Sequence, residues 1–489
     1  MVSAGRLPTI IQGGMGVAVS NWRLARAVSQ RGQLGVVSGT ALDTVFVRRL
    51  QDGDPGGHIR RAMAHFPVPG VSIRTLDKFF IEGGKREGDS YRLLPMYRQY
   101  VSVERQQLTM LANFVEVFLA KEGHEGVVGI NLLTKVQLPT LASLYGAMLA
   151  GVDYVLMGAG IPREIPGALD SLSEHRLTSL KFDVEGNPSH EALYLSLDPA
   201  ALETDTTIPL KRPSFLPIIS ANSLAATLAR KANGSVEGFV VEGPTAGGHN
   251  APPRGEPRYN ERGEPLYGDR DVVDLNKLRE LNLPFWLAGG TGSPERLSEA
   301  LAAGAAGIQV GTLFAFSEES GFADDLKSDV LAHAARGEAD VITDPRASPT
   351  GYPFKVVRWP GDKTAGYERE RKCDLGYLRI AFKREDGRVD YRCAAEPVED
   401  YVRKGGLMAE TVGRRCLCNA LTANIGQPQP RAGAPDEPPL ITSGDDLMAI
   451  GGFLKGRSSY TADDVIDYLL AGTGLETSVF SATAGAIQE

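Results

Sequence analysis

Cysteine is scarce in this chain and absent from its first three quarters: the four among 489 residues are Cys373, Cys393, Cys416 and Cys418. Nothing upstream can pair with them, so a disulfide framework of the kind that holds extracellular proteins together is not expected. Bunched thiols instead suit the ligands of a zinc ion or an iron–sulfur cluster. The spacing fits no standard zinc template, and Cys416-Leu-Cys418 is closer than the usual two-residue gap. Reduced thiols buried as small apolar side chains are the other reading. Positive charge is also short, with 52 Lys and Arg against 60 Asp and Glu and a formal net charge of −8, which repels a polyphosphate backbone and argues against nucleic acid as a partner. No apolar run reaches the roughly 18 residues of a membrane span, and no basic stretch followed by a long apolar one opens the chain. Neither a membrane partner nor a secretory signal is therefore expected, and the default location is cytoplasmic. No repeat of fixed period and no low-complexity tract is present, which excludes a solenoid.

What is present has the composition of an ordinary globular protein, 42% hydrophobic and 23% charged. Short apolar runs recur at 9–12, 34–37, 127–131, 154–157, 216–220, 238–241, 285–288 and 307–310, most of them followed by a glycine-containing turn and a stretch of helical periodicity. Continuous apolar runs of this length suit strands buried on both faces of a parallel sheet, with the helices as crossovers. The spacing predicts an α/β fold, a (β/α)8 TIM barrel, with an open doubly wound sheet as the alternative. Ser293-Pro294-Glu295 supplies a cap, a first-turn proline and an early acid for the helix between the last two strands.

Two stretches interrupt the rhythm, and a third follows it. Residues 1–40 and 127–335 are read as the barrel, and 41–126 as an inserted helical subdomain or lid, since the segment is too long for a loop. A shorter insertion runs from 161 to about 215. Residues 336–489 form a C-terminal extension carrying all four cysteines, with Thr461-Ala-Asp-Asp opening a last helix that is expected to pack on the barrel.

The chemistry centres on Glu242-Gly-Pro-Thr-Ala-Gly-Gly-His249, where an apolar strand ends in a glycine-rich bend and then offers an imidazole. Glycines let backbone approach a flat or phosphorylated ligand, and histidine titrates nearest neutral pH. A tight turn with a solvated histidine is the bland alternative; the other histidines lack this strand-end context. In a barrel the loops after the strands gather at one rim, so the segments Gln12-Gly-Gly-Met-Gly16, Asn131, Gly158-Ala-Gly160, Ser220-Ala-Asn222, Gly289-Gly-Thr-Gly292 and Gly311-Thr312 are expected to share a pocket. The last two loops, with the helix begun at Ser293, suit a phosphate. Neither a Walker A motif nor a dinucleotide fingerprint in a strand–helix context occurs, which favours a mononucleotide such as FMN.

At Pro8-Thr-Ile-Ile-Gln-Gly-Gly-Met15, Gly129-Ile-Asn131, Ala246-Gly-Gly-His249, Ala288-Gly-Gly290 and Gln309-Val-Gly-Thr312 the sequence resembles the nitronate monooxygenase family (2-nitropropane dioxygenase-like) of FMN-containing barrels, over about residues 7–40 and 127–320. FMN-dependent enoyl-acyl-carrier-protein reductases share the framework, and the Gln-Gly-Gly-Met form looks more like that branch. The resemblance implies FMN held by Gly14, Met15, Asn131, Ser220, Gly247, Gly248, Gly289, Gly290, Gly311 and Thr312, with His249 as the catalytic residue. It implies oxidation of alkyl nitronates with O2 to carbonyl compounds and nitrite. The alternatives are an enoyl-acyl reductase using NAD(P)H or an acyl dehydrogenase or isomerase on the same FMN and histidine, and a flavin-binding subunit without turnover. A small-molecule or acyl substrate is the expected partner, with a homo-oligomer or a carrier protein left open. Arg254 in the segment after His249 could meet an anionic substrate, but a solvated arginine is the simpler reading.

Overall fold

The computed structural model describes residues 7–188, 190–363, 370–431, 433 and 435–474; the outer ends of the first and last expected segments lie outside them. Eight strands form one parallel sheet: β1 (Ile10–Gln12), β2 (Gly35–Ser38), β3 (Val128–Leu133), β4 (Tyr154–Gly158), β5 (Ser214–Ile219), β6 (Phe239–Glu242), β7 (Phe285–Ala288) and β8 (Gly307–Val310), in the order β1-β8-β7-β6-β5-β4-β3-β2. The two ends of that order meet. Ile11 bridges Leu34 in parallel, Gln12 donates its amide to the Leu34 carbonyl at 2.9 Å, and Leu34 donates to Ile10 at 3.0 Å. The wholly buried Gln12 side chain adds a bond of its own, its Oε1 accepting from the Val36 amide at 3.0 Å. The sheet is a closed TIM barrel, and every one of the apolar runs became a barrel strand, because a strand covered on both faces has no polar side to display.

The barrel interior is packed. Ile11, Leu34, Val36, Leu156, Leu216, Val240, Trp286 and Ala288 form one cluster drawn from both ends and the middle of the strand order, with the indole Nε1 of Trp286 satisfied by the Pro8 carbonyl at 2.8 Å. The site must therefore lie at a rim.

Between β2 and β3 the chain runs through several helices, of which α1 (Leu42–Gln51) and α2 (Val103–Lys121) are almost completely buried. They belong to the same apolar cluster as the helix Thr140–Leu149 and residues of β2, β3 and β4. Residues 161–213 hold a helix and an antiparallel hairpin of Thr178–Phe182 with Leu193–Leu197. After β8, the antiparallel pair β9 (Asp340–Asp344) and β10 (Phe354–Arg358) begins the extension. Its last described helix, Ala462–Leu470, starts on a Thr461–Asp464 capping box. That helix buries Val465, Ile466 and Leu469 in the cluster that holds β1 and β8 residues.

A buried ion pair ties these parts together. Arg105 of α2 donates from Nη2 to Asp43 of α1 at 2.5 Å, with both side chains nearly inaccessible, and Tyr377 of the extension donates its hydroxyl to the other Asp43 oxygen. Removing one member leaves the other as an uncompensated buried charge. Asp43→Ala is expected to lower stability by about 3–5 kcal/mol in denaturant unfolding, whereas an exposed pair such as Arg296–Glu299 is expected to matter by under about 1 kcal/mol.

Candidate functional site

Each barrel strand ends at the same rim, and the residues beyond the strand ends need unusual backbone. Gly289 and Gly290 sit at φ of 89° and 67° and Gly248 at 79°, the left-handed region that side chains avoid. Gly14 lies so close to Asn131 that an added Cβ would meet the Asn131 Cβ at 2.3 Å, and Asn131 Nδ2 donates to the Gly14 carbonyl at 2.9 Å. These contacts fold the β1, β3, β6, β7 and β8 loops inward.

The structure brings Gly14, Met15, Asn131, Gly247, Gly248, His249, Gly289, Gly290, Gly311 and Thr312 around one cavity. Ser220 stands apart from them. It lines an adjoining cavity, with Ile218, Ile219, Leu224, Pro244, Arg254 and Tyr267, and its carbonyl accepts from Arg254 at 3.1 Å. The cause is geometric: β5 ends at Ile219, and Ser220 begins the turn into the next helix, two residues beyond Ile218, which lines the main cavity. The two cavities share Ala159, Ile218, Glu242 and His249. Arg254 is exposed and spends its guanidinium on the carbonyls of Arg270 and Ser220.

The extension closes the main cavity, which the motifs alone did not foretell. His249 pairs with Phe354 in an isolated antiparallel bridge, Asn250 donates its amide to Pro353 at 2.9 Å, and Lys355 donates to Gly248 at 2.9 Å. Gly248 in turn donates to the Thr442 hydroxyl at 2.7 Å. Thr312 Oγ1 accepts from the Gly444 amide at 3.0 Å, and Asp446 accepts from the Gly292 amide at 3.1 Å. Burial, with Asp445 close by, raises the Asp446 carboxyl above its ordinary value.

His249 is oriented by the same extension. Its Nε2 lies 2.7 Å from the Ser348 hydroxyl, which is fully buried and lies 2.8 Å from Thr350 Oγ1 while accepting from the Thr350 amide at 3.2 Å. Ser348 Oγ thus stands between the imidazole and Thr350, a contact that holds the ring in one orientation. The ring meets Phe354 edge-on at 4.8 Å between centroids. Burial first, and then the Lys135 cation stacked on Tyr352, holds the imidazole down at about 4, so it is neutral at physiological pH.

Glu242 was quoted in the motif without a role, yet it is the second ionisable group common to both cavities. Desolvation alone lifts its carboxyl to about 7. An acid ending an apolar strand just before a glycine bend is the sequence signal that could have singled it out.

The four cysteines do gather. Cys393 and Cys416 share a small apolar cluster against which Cys418 packs, and Cys418 lines the main cavity. Burial raises Cys373, Cys393 and Cys418, and neighbouring thiols add to the rise of Cys393 and Cys418. Among the described residues no group of three or more His, Cys, Asp or Glu is disposed to hold a metal ion; of the thiols expected as zinc or iron–sulfur ligands, Cys393 and Cys416 are buried and Cys373 and Cys418 half-buried. No helix of the described residues is long and apolar enough to cross a membrane.

A closed barrel thus presents one half-buried neutral imidazole among strand-end glycines, a rim suited to a flat or phosphorylated ligand. Residues 191–343 match the family model described as Nitronate monooxygenase; this segment holds β5 to β8, His249, Gly290 and Thr312. Among solved structures, the chain is similar to FabK from Thermotoga maritima at 16% identity, with 95% of this chain and 91% of that one covered and a TM-score of 0.46. It is similar to nitroalkane oxidase from Streptomyces ansochromogenes at 16% identity, 95% and 95% coverage and a TM-score of 0.41. It is also similar to the enoyl reductase domain of MlnA from Bacillus amyloliquefaciens at 10% identity, 95% and 93% coverage and a TM-score of 0.45. At such values these three likenesses speak to neither substrate nor reaction. No curated protein matches the chain.

The Glu242 titration has a stability consequence with a definite sign. An unfolded chain ionises this carboxyl near 4.5, whereas the folded one keeps its proton up to about 7, so stability is lost as pH rises through that window. Glu242→Gln is expected to match the parent below pH 4.5 and to exceed it by about 3 kcal/mol above pH 7, read from denaturant midpoints across pH.

Proposed function

We propose that the protein is an FMN-dependent oxidoreductase that oxidises nitroalkanes, as alkyl nitronates, with O2 to carbonyl compounds and nitrite. The observation that carries this reading is the half-buried, neutral His249 set among the glycine loops of one cavity. The residues fit a flavin. Asn131 Oδ1 and Gln309 Oε1 are buried at the cavity without a hydrogen-bond partner, and a polar heterocyclic edge bearing N–H groups would satisfy them. Gly248 has open space where a Cβ would stand. Gly14, Met15 and Asn131 would hold the ring, and Gly290, Gly311 and Thr312 the phosphate. Bound FMN supplies the electron acceptor.

The protein's own contribution is proton transfer and positioning. Held neutral, His249 can accept the α-proton of a neutral nitroalkane: the C–H bond breaks, an N–H bond forms at the imidazole, and the electron pair moves onto the nitro oxygens. Ser348 holds the ring in one orientation. Lys135, which helps depress the imidazole, supplies a cation on the side of Tyr352 that favours the resulting anion.

One observation favours a second reading. The adjoining cavity has an aliphatic wall of Ile161, Ile218, Ile219 and Leu224, which suits the chain of an enoyl-acyl substrate reduced at the expense of NAD(P)H. Anaerobic mixing of the flavin-loaded protein separates the two. Bleaching by propyl-2-nitronate, with nitrite released once oxygen is admitted, is expected; rapid bleaching by NADH or NADPH instead selects the reductase. His249→Ala is expected to keep its flavin content and to lose about 100-fold or more in turnover of neutral nitroalkane, with far less loss on preformed nitronate. Ser348→Ala is expected to lose about 10-fold, in kcat more than in KM, through the misplaced ring.

A further inference from the structure

We infer that Glu242 acts in its neutral form as the hydrogen-bond donor to the substrate oxygen on which negative charge develops. The inference rests on the oxidoreductase reading of the site and adds to it a second working group. Its geometry is the first ground. Glu242 is the last residue of β6 and, with His249, is shared by the two cavities, so a substrate reaching from the aliphatic chamber to the imidazole must pass both. Whether that substrate is a nitroalkane losing a proton or an enoyl group gaining a hydride, electrons arrive on an oxygen conjugated to the reacting carbon. An un-ionised carboxyl can donate to that oxygen, while a carboxylate would repel it.

The surroundings are the second ground. The strand neighbours of Glu242 are apolar: Ala288 stands beside it in register on β7, and Ile218 and Ile219 line the cavities from β5. Its side chain has no ion pair or hydrogen bond among those found in the described residues. The other ionisable groups of the main cavity are Asp446, Cys418 and Tyr377, and those of the adjoining one are Arg254, Tyr267, Asp271 and Tyr352. None of them acts measurably on the carboxyl, whose rise to about 7 comes from desolvation alone. The two groups common to the cavities are thus displaced in opposite directions, His249 toward a base that stays unprotonated and Glu242 toward an acid that keeps its proton. No proton need leave Glu242 in the step: His249 takes the proton from carbon, and the O–H of Glu242 shortens its bond to the oxygen as charge grows there.

The test uses the flavin-loaded full chain, with Glu242→Gln and Glu242→Leu beside the parent. Glutamine keeps an N–H donor that cannot titrate; leucine keeps the bulk and loses the donor. Infrared difference spectra between acid and alkaline buffer are expected to show a protonated carboxyl that disappears with a midpoint near pH 7 in the parent and is missing from both variants. Anaerobic flavin reduction by nitroethane is expected to fall with rising pH through the same midpoint in the parent, to lose that limb while keeping a rate within about 10-fold in Glu242→Gln, and to drop by about 100-fold or more in Glu242→Leu. A purely structural role would leave the limb in place in Glu242→Gln. The inference is overturned if the carboxyl signal is gone below pH 6, if Glu242→Gln retains the descending limb, or if Glu242→Leu reduces its flavin at the parental rate. Failure of nitroethane, NADH and NADPH alike to bleach the parental flavin would sink the oxidoreductase reading, and the infrared titration would still report on Glu242 by itself.

Discussion

One short backbone pairing sets the geometry of everything at the rim: His249 opposite Phe354, with Asn250 bonded to Pro353 and Lys355 to Gly248. The glycine bend after β6 has few conformational constraints of its own, since Gly247 and Gly248 carry no side chains and Gly248 sits in the left-handed region. Left to itself, such a bend would sample many positions. Joining it to β10 gives it a rigid partner, brings Ser348 and Phe354 against the imidazole, and carries the rest of the extension over the cavity. Thr442, Gly444 and Asp446 then bond to Gly248, Thr312 and Gly292 in turn. The extension is part of the site.

That closure also accounts for the electrostatics. With polar groups desolvated at the strand ends, charge becomes costly on any group without a partner, and burial shifts each toward its neutral form: His249 below its ordinary range, Glu242, Asp446 and Cys418 above theirs. The buried Asp43–Arg105 pair shows the other solution, in which two charges are buried together and a third element, Tyr377, completes the hydrogen bonding. Tyr377 also lines the main cavity, so the pair that braces α1 and α2 has a direct line to the site. Charge is kept where it supports packing and suppressed where chemistry needs a neutral donor and a neutral base.

The barrel was legible because its signal is local. A strand buried on both faces must be apolar along its length, and a strand end that turns sharply must carry glycine, so eight runs and their glycine bends stand out from the amino acids alone. The strand limits moved by one or two residues, as with β5, which runs from Ser214 to Ile219 and so leaves Ser220 beside the neighbouring cavity. His249 was visible as an imidazole at a strand end. Ser348 and Thr350 were not, because a serine and a threonine in a proline- and glycine-rich stretch have no periodicity, and their meaning comes from a histidine about a hundred residues earlier in the chain. The bunching of the cysteines in sequence corresponds to a gathering in space, where Cys393, Cys416 and Cys418 lie in apolar surroundings.

From the order of its residues, the chain determined a closed barrel, a rim of backbone-exposing bends and the imidazole placed on it, since those follow from hydrophobic burial and from the conformations glycine alone tolerates. Only the tertiary structure decided which hydroxyl meets that imidazole, that Glu242 joins it, and that the extension lines the cavity. Hydrogen bonding and desolvation depend on groups brought together from distant parts of the chain, and no local pattern records them.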